Sequence, residues 1–295
     1  MINHTGPAPP GKLYVVATPI GNLGDLSSRA RDTLQNCALI AAEDTRHTGI
    51  LLKHFGIGTP QLSLHDHNEE MRAIEIIARL REGKSVALVS DAGTPAISDP
   101  GFELVRAVAA ADLEIVAIPG PCAAIAALSI GALPTDRFCF EGFLPARGAA
   151  RRRRLKSLES EARTLVIYES PHRVRETLED CMTAFGEERA ATVVREATKL
   201  HETTYRGSLL ELSGKSKSDA DFARGEIVLI IGGKPQTAAD DADSEAKESL
   251  DKVILALLAE LPLKQAARLA AQITGARDNV AYKRALFLKA QSASH

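Results

Sequence analysis

Residues 90 to 101 read Ser-Asp-Ala-Gly-Thr-Pro-Ala-Ile-Ser-Asp-Pro-Gly, a stretch dense in carboxylates, hydroxyls, glycine and proline. Gly93 opens backbone N–H and C=O groups to a ligand, and Asp91 adds a carboxylate beside them. Such a loop is too long for a simple turn and too punctuated for helix or strand. It is therefore expected to form the floor of a small-molecule site, with Asp99 capping the helix that resumes at Phe102. Other carboxylates stand where apolar runs end: Glu43 and Asp44, then Asp66, then Glu169. Carboxylates at such positions are candidates for general-base work.

Two further groups invite chemical readings. His65 and His67 would share a face of a strand, but no third ligand accompanies them, so a polar rim is expected and no metal. Cys122 opens a helix in an apolar setting, which favours packing over nucleophilic attack. The four cysteines, Cys37, Cys122, Cys139 and Cys181, lie far apart without a Cys-x-x-Cys pair. They read as thiols of a reducing cytoplasm.

The elements that position these residues alternate regularly. Leu13–Ala17, Ala38–Ala42, Gln61–Leu64, Val86–Val89 and Leu113–Ile118 read as buried strands. Amphipathic or small-residue helices separate them, ending with Ala123–Ile130. Alternation of this kind predicts a parallel sheet whose ligand lies outside the strands' carboxyl ends. Leu133-Pro134-Thr135-Asp136 breaks the pattern and suggests a boundary. Beyond it strands are expected at 138–143, 164–168, 191–195, 201–206 and 226–231, with helices at 151–161 and 171–185. This is a second α/β domain, its sheet mixed because two strands are close enough to pair as a hairpin. The expected organisation is thus 12–134, 135–234, an acidic linker at 235–248, and a small helical appendage at 249–292.

Composition sets outer limits. The chain has 295 residues, 45% of them apolar and 25% charged, as in globular proteins. No apolar run approaches the ~18 residues of a membrane span, and no signal-like segment opens the chain. Net charge is −2, so bulk electrostatics do not attract a polyanion. The distribution says more. Arg147, Arg151, Arg152, Arg153, Arg154 and Lys156 fall within ten residues. A second basic stretch, with Lys264 and Arg268 at its head, runs to Lys289. Local basic patches on a near-neutral protein point to a polyanionic partner. With 8 Phe, 4 Tyr and no Trp, single-strand stacking platforms are disfavoured. Folded RNA read by its phosphates is the better expectation.

Six segments together resemble the tetrapyrrole methylase family: "LYVVATPIGNLGDLS", "AAEDTRHTGILLKHFGI", "LVSDAGTPAISDPGFELV", "IPGPCAAIAAL", "YESPHRV" and "REATKLHE". The likeness is to its ribosomal RNA branch, which methylates a cytidine 2′-hydroxyl of small-subunit (16S) rRNA. Small-molecule members carry Gly-Asp-Pro where this chain has Ser90-Asp91-Ala92, which favours that branch.

The resemblance implies a class III methyltransferase fold, with S-adenosylmethionine (SAM) between two α/β domains. It also implies a homodimer and a 30S or 16S rRNA partner. Carried over by position, the cofactor residues are Pro19, Asp91, Ala92, Gly93, Ile97, Ser98, Cys122, Ala123, Tyr168, Glu169 and Ala197. For the base, Asp44 is preferred over Glu43 and Asp66, with Arg46 as a phosphate anchor. An Asp44–Arg46 or Glu43–Arg46 ion pair that only shapes the loop is the competing reading. Arg151 to Arg154, Lys264 and Arg268 are the expected RNA contacts. A small tetrapyrrole-like substrate would instead need a wide apolar cleft and leave the basic run unused. A non-catalytic RNA-binding module would bind no cofactor.

Overall fold

The computed structural model describes residues 9–65, 67–235 and 249–292, with backbone alone for 291 and 292. The chain forms two compact units, Met1–Lys234 and Pro235–His295. The linker expected from the sequence lies almost wholly outside the described residues.

The first sheet is built from β1 (Leu13–Val16), β2 (Leu39–Ala42), β3 (Gln61–Ser63), β4 (Val86–Val89) and β5 (Ile115–Ile118). Its order is β3-β2-β4-β1-β5 and every pairing is parallel. All four residues of β2 and of β4 are buried, as their unbroken apolar runs require of strands covered on both faces. One face packs Leu39, Leu88, Ile76, Leu80 and Leu104 against α3 (Glu69–Arg81) and α4 (Phe102–Ala110). The other packs Ile40, Val89, Leu34 and Leu52 against α1 (Ser28–Asn36) and α2 (Thr45–His54). Helix starts follow their caps: Ser27 Oγ accepts from Ala30 N–H at 3.0 Å, and Asp44 Oδ1 accepts from Arg46 N–H at 2.8 Å. α4 is capped differently from expectation. Its N-cap is Gly101, which has no side chain to offer, and Glu69 of α3 accepts from Leu104 N–H at 2.8 Å. Asp99 does not cap it.

The second sheet contains β6 (Phe138–Phe143), β7 (Thr164–Glu169), β8 (Ala190–Arg195), β9 (Thr203–Ser208) and β10 (Ile227–Ile231), in the order β6-β7-β10-β8-β9. β6 and β7 are parallel and the rest antiparallel, which makes the sheet mixed, as the close spacing of its strands predicts. Alternate residues of β10 face opposite ways. Ile227, Leu229 and Ile231 join a core with α6 (Gly148–Ser157), α7 (Val174–Phe185) and α8 (Leu209–Ser218). Val228 and Ile230 meet α5 (Ala123–Ile130), whose alanines allow close approach. α6 begins three residues before the expected start, and α7 three residues after its own. α8 has no counterpart among the expected elements, although Ser208 and Glu211 form a full capping box at its start.

In the second unit, helices α9 (249–258), α10 (Leu263–Thr274) and α11 (Asp278–Ser292) enclose Leu250, Ile254, Ala267, Ala270, Ala281 and Leu288. Gly275, with φ at 73°, supplies the left-handed residue that ends α10.

Candidate active site

Three loops leave the carboxyl ends of β1, β2 and β4 and hold one another in place. Thr18 N–H donates to Gly93 O at 2.8 Å and Gly93 N–H returns to Thr18 O at 3.1 Å. Asp91 N–H donates to Glu43 Oε2 at 3.2 Å, while Asp91 Oδ1 accepts from Asp44 N–H at 3.1 Å. Asp91 therefore ties the β2 loop to the β4 loop as well as facing a ligand space. Within 90–101, Gly93 and Gly101 have φ of 85° and 127°, and Ala96 and Ser98 have φ of 67° and 65°. Two non-glycine residues in the left-handed region, so close together, mark a loop whose shape is imposed by its neighbours.

The opposite wall comes from the second sheet. Tyr168 Oη accepts from Ala124 N–H at 3.1 Å, serving the start of α5 where Cys122 makes no side-chain cap. Burial, with the Cys122 thiol nearby, holds the Tyr168 phenol above its usual range. Glu169 is buried and its carboxylate is fully engaged. It accepts from Ser170 N–H (2.7 Å), Thr177 Oγ1 (2.6 Å) and the Arg173 guanidinium (Nη2, 2.6 Å).

Between the walls lies a cavity of about 360 Å³, within the range of small-molecule sites. Of the residues expected to hold a cofactor, Ala92, Gly93, Ile97, Ser98, Cys122, Ala123, Tyr168, Glu169 and Ala197 line it. Pro19 and Asp91 line an adjoining cavity of about 220 Å³ with Thr18, His47, Ile50 and Ser90. The larger cavity also takes Thr94 and Asp99 of the expected floor loop, Ser170 beside Glu169, and residues that sequence reasoning missed: Ile20, Phe143, Val194, and Gly225 to Val228. The last group enters because β10 runs antiparallel to β7, which puts its first residues beside the last residues of β7. Asp99, expected only as a helix cap, is notable among the lining residues. Burial and the charge of Glu43 push its carboxyl up to about 6, against a hydrogen bond from Ser90 that acts the other way.

The expected bases fare unevenly. Asp44 is locked to Arg46 (Nη2–Oδ2, 2.7 Å), whose side-chain hydrogen bond holds the carboxyl well below the usual range. The competing reading, an ion pair that shapes the loop and caps α2, is the one the geometry supports. Glu43 accepts the Asp91 N–H. Asp66 lies outside the described residues.

The basic run needs a sharper correction. Only 3% of the Arg151 side chain is exposed, and it pairs with Asp180 (Nε–Oδ2, 2.7 Å) and Glu176 (Nη2–Oε2, 3.2 Å). It cannot reach a phosphate without leaving two carboxylates behind. Arg154 reaches Glu141 at 2.7 Å. Arg152 and Arg153 are exposed, and Arg46 is 89% exposed even while paired. On α10, Lys264 and Arg268 stand one turn apart on an exposed face.

Residues 12–213 match the family profile of the tetrapyrrole (corrin/porphyrin) methylases, and residues 242–289 match the RsmI C-terminal HTH domain. The chain is 51% identical over 276 residues to the ribosomal RNA small subunit methyltransferase I of Escherichia coli O157:H7, covering 94% of this chain and 95% of that one. It is 52% identical over 276 residues to the protein of the same name from Pseudomonas aeruginosa, covering 94% and 97%. Among solved structures, cobalt precorrin-4 methyltransferase, a cobalamin biosynthetic enzyme, superposes with a TM-score of 0.57. Its identity is 19%, over 75% of this chain and 94% of that one, so the likeness is one of fold.

Proposed function

The chain belongs to the tetrapyrrole (corrin/porphyrin) methylases, and from that membership we propose that it is a SAM-dependent methyltransferase of small-subunit ribosomal RNA, acting on the ribose 2′-hydroxyl of a cytidine. The observation that carries this reading is the cavity between the two sheets, which gathers residues from seven strand ends or loops.

The residues present suit SAM. Gly93 leaves room where a β-carbon would come within 3.3 Å of Ile20 Cγ2, so the backbone itself can meet a ligand. Asp91, Asp99 and Glu43 concentrate negative charge on one side, toward which a sulfonium and an ammonium would turn. Ile97, Phe143, Val194 and Val228 give the other side an apolar surface of the kind a purine ring needs. When bound, SAM supplies an electrophilic methyl group. The protein's part is to align the hydroxyl, exclude water and take up a proton. Positioning is the largest of these contributions, and a general base adds roughly 10²–10⁴-fold.

RNA is held by exposed cations on this reading: Arg46 beside the adjoining cavity, Arg152 and Arg153 on α6, and Lys264 and Arg268 on α10. The family resemblance further suggests a homodimer acting in the cytoplasm on the 30S subunit or its RNA. Among the described residues no helix is long and apolar enough to cross a membrane.

The deciding experiment is transfer of labelled methyl from SAM to small ribosomal subunits, run beside free tetrapyrroles. We expect label in the RNA, recovered as 2′-O-methylcytidine. Label in the tetrapyrrole instead would replace the substrate, and no SAM binding in calorimetry would remove the enzyme reading altogether.

A further inference from the structure

We propose that the exposed face of α11 is a stacking platform for unpaired nucleotides, a role that rests on reading the chain as a ribosomal RNA methyltransferase. The core of the second unit is closed by Leu250, Ile254, Ala267, Ala281, Ala285 and Leu288. Tyr282 and Phe287 stay outside it, 42% and 50% exposed, with Val280 and Leu286 exposed on the same helix. Tyr282 and Leu286 form one i, i+4 row, and Lys283 and Phe287 form another beside it. Phe287 is also held in place. The Arg284 guanidinium lies over its ring, 5.0 Å from the centroid, and donates from Nε to Asp251 of α9 at 2.6 Å. Asp251 thereby neutralises Arg284, and the ring that the stack presents to solvent has a set orientation. A ring already ordered loses little entropy on binding. Composition speaks against such a platform, since 8 Phe and 4 Tyr are few for 295 residues. Position reverses that on this helix.

Charge selects the occupant. After Asp278 at its start, α11 carries Lys283, Arg284 and Lys289 and no acid, and α10 carries Lys264 and Arg268 and no acid. Aromatic rings set among exposed lysines suit a polyanion that also has flat apolar surfaces. Unpaired RNA has both, phosphates for Lys283 and Lys289 and open base faces for Tyr282 and Phe287. A paired stem does not fit. The major groove of A-form RNA is too deep and narrow for side chains to read, and its bases already stack on one another. Every base has a π-face, so this helix selects single-stranded loops or ends over stems without selecting a sequence.

The test uses the full-length chain with two labelled probes, an unstructured oligoribonucleotide of about 12 nucleotides and a stem of equal length. The single strand should bind more tightly. Tyr282→Ala and Phe287→Ala should each weaken that binding roughly 5- to 100-fold, with the log–log salt slope and SAM affinity unchanged. Lys283→Ser should instead lower the slope by about 0.7. Conservative variants separate rings from bulk: Tyr282→Phe should bind as wild type does, and Phe287→Leu as weakly as Phe287→Ala. The chain has no tryptophan, and Tyr282 is an exposed member of its 4 tyrosines. Tyrosine emission should therefore fall when the single strand binds, and Tyr282→Phe should lose most of that fall at unchanged affinity. Alanine variants that hold the single strand as tightly as wild type overturn the proposal, and so does tighter binding of the stem. A dimer that forms without RNA and dissociates in Phe287→Ala also overturns it, because the face would then join two copies of the chain. A wild-type chain that binds neither probe and methylates no ribosomal subunit would instead remove the functional reading, and this inference with it.

Discussion

Asp99 shows how one residue's position changes its chemistry. An ordinary aspartate titrates near 3.9, whereas burial and Glu43 bring Asp99 up to about 6. The unfolded chain therefore loses this proton first as pH rises. Folding stability should fall between about pH 4 and pH 6 on account of this group, and stay level above that. Asp99→Asn removes the cost. Urea unfolding should find the variant more stable than wild type at pH 7.5, by about 1–2 kcal/mol after allowance for partial exposure, and no more stable at pH 3.5. A variant equally stable at both pH values would mean that the carboxyl is not strained in the folded state. Asp44 follows the opposite course: Arg46 keeps it ionised to low pH, which suits a cap and not a base.

At the scale of an element, the loop between β4 and α4 decides whether the cavity has a floor. It is fastened at Gly93 to Thr18, at Asp91 to the β2 loop, and just past Gly101 by the Glu69 cap on α4. Gly93→Val meets two obstacles, a φ of 85° and a β-carbon 3.3 Å from Ile20 Cγ2. We expect calorimetry to show loss of SAM binding while far-UV circular dichroism stays native, at a stability cost of about 1–3 kcal/mol. Normal SAM affinity in this variant would remove the loop from the cofactor site.

For the whole molecule, net charge of −2 means that RNA affinity has to come from a few exposed cations and not from the overall field. The four successive arginines of α6 divide by exposure: Arg151 is a buried partner of Asp180, Arg154 pairs with Glu141, and Arg152 and Arg153 are exposed, Arg152 while lying 3.5 Å from Asp180. Each phosphate left without its cation should reduce the log–log salt slope of RNA binding by roughly 0.7–0.9. Replacing Arg152 and Arg153, or Lys264 and Arg268, by serine should thus lower the slope by up to about twice that amount, with SAM affinity unchanged. A slope that neither pair alters would move the RNA footprint to other cations, Arg46 first among them.

The alternation of strands and helices, the parallel first sheet, the mixed second sheet and most of the cofactor loop are legible in the amino-acid order. They are legible because they are local features. Val86–Val89 is apolar throughout because it is covered on both faces, and the loop after it is polar because it is not. α8 is harder to see because Gly214 and a scatter of serines dilute its apolar pattern, although its capping box is there to read. The remaining features come from pairing between distant segments. Whether Arg151 points into the protein depends on Asp180, 29 positions away and on another helix. That the start of β10 borders the cavity follows from its antiparallel pairing with β7. Asp99 faces the cavity while Glu69, from a different helix, caps α4 in its place. Such pairings set burial and charge, and burial and charge set what a carboxylate can do.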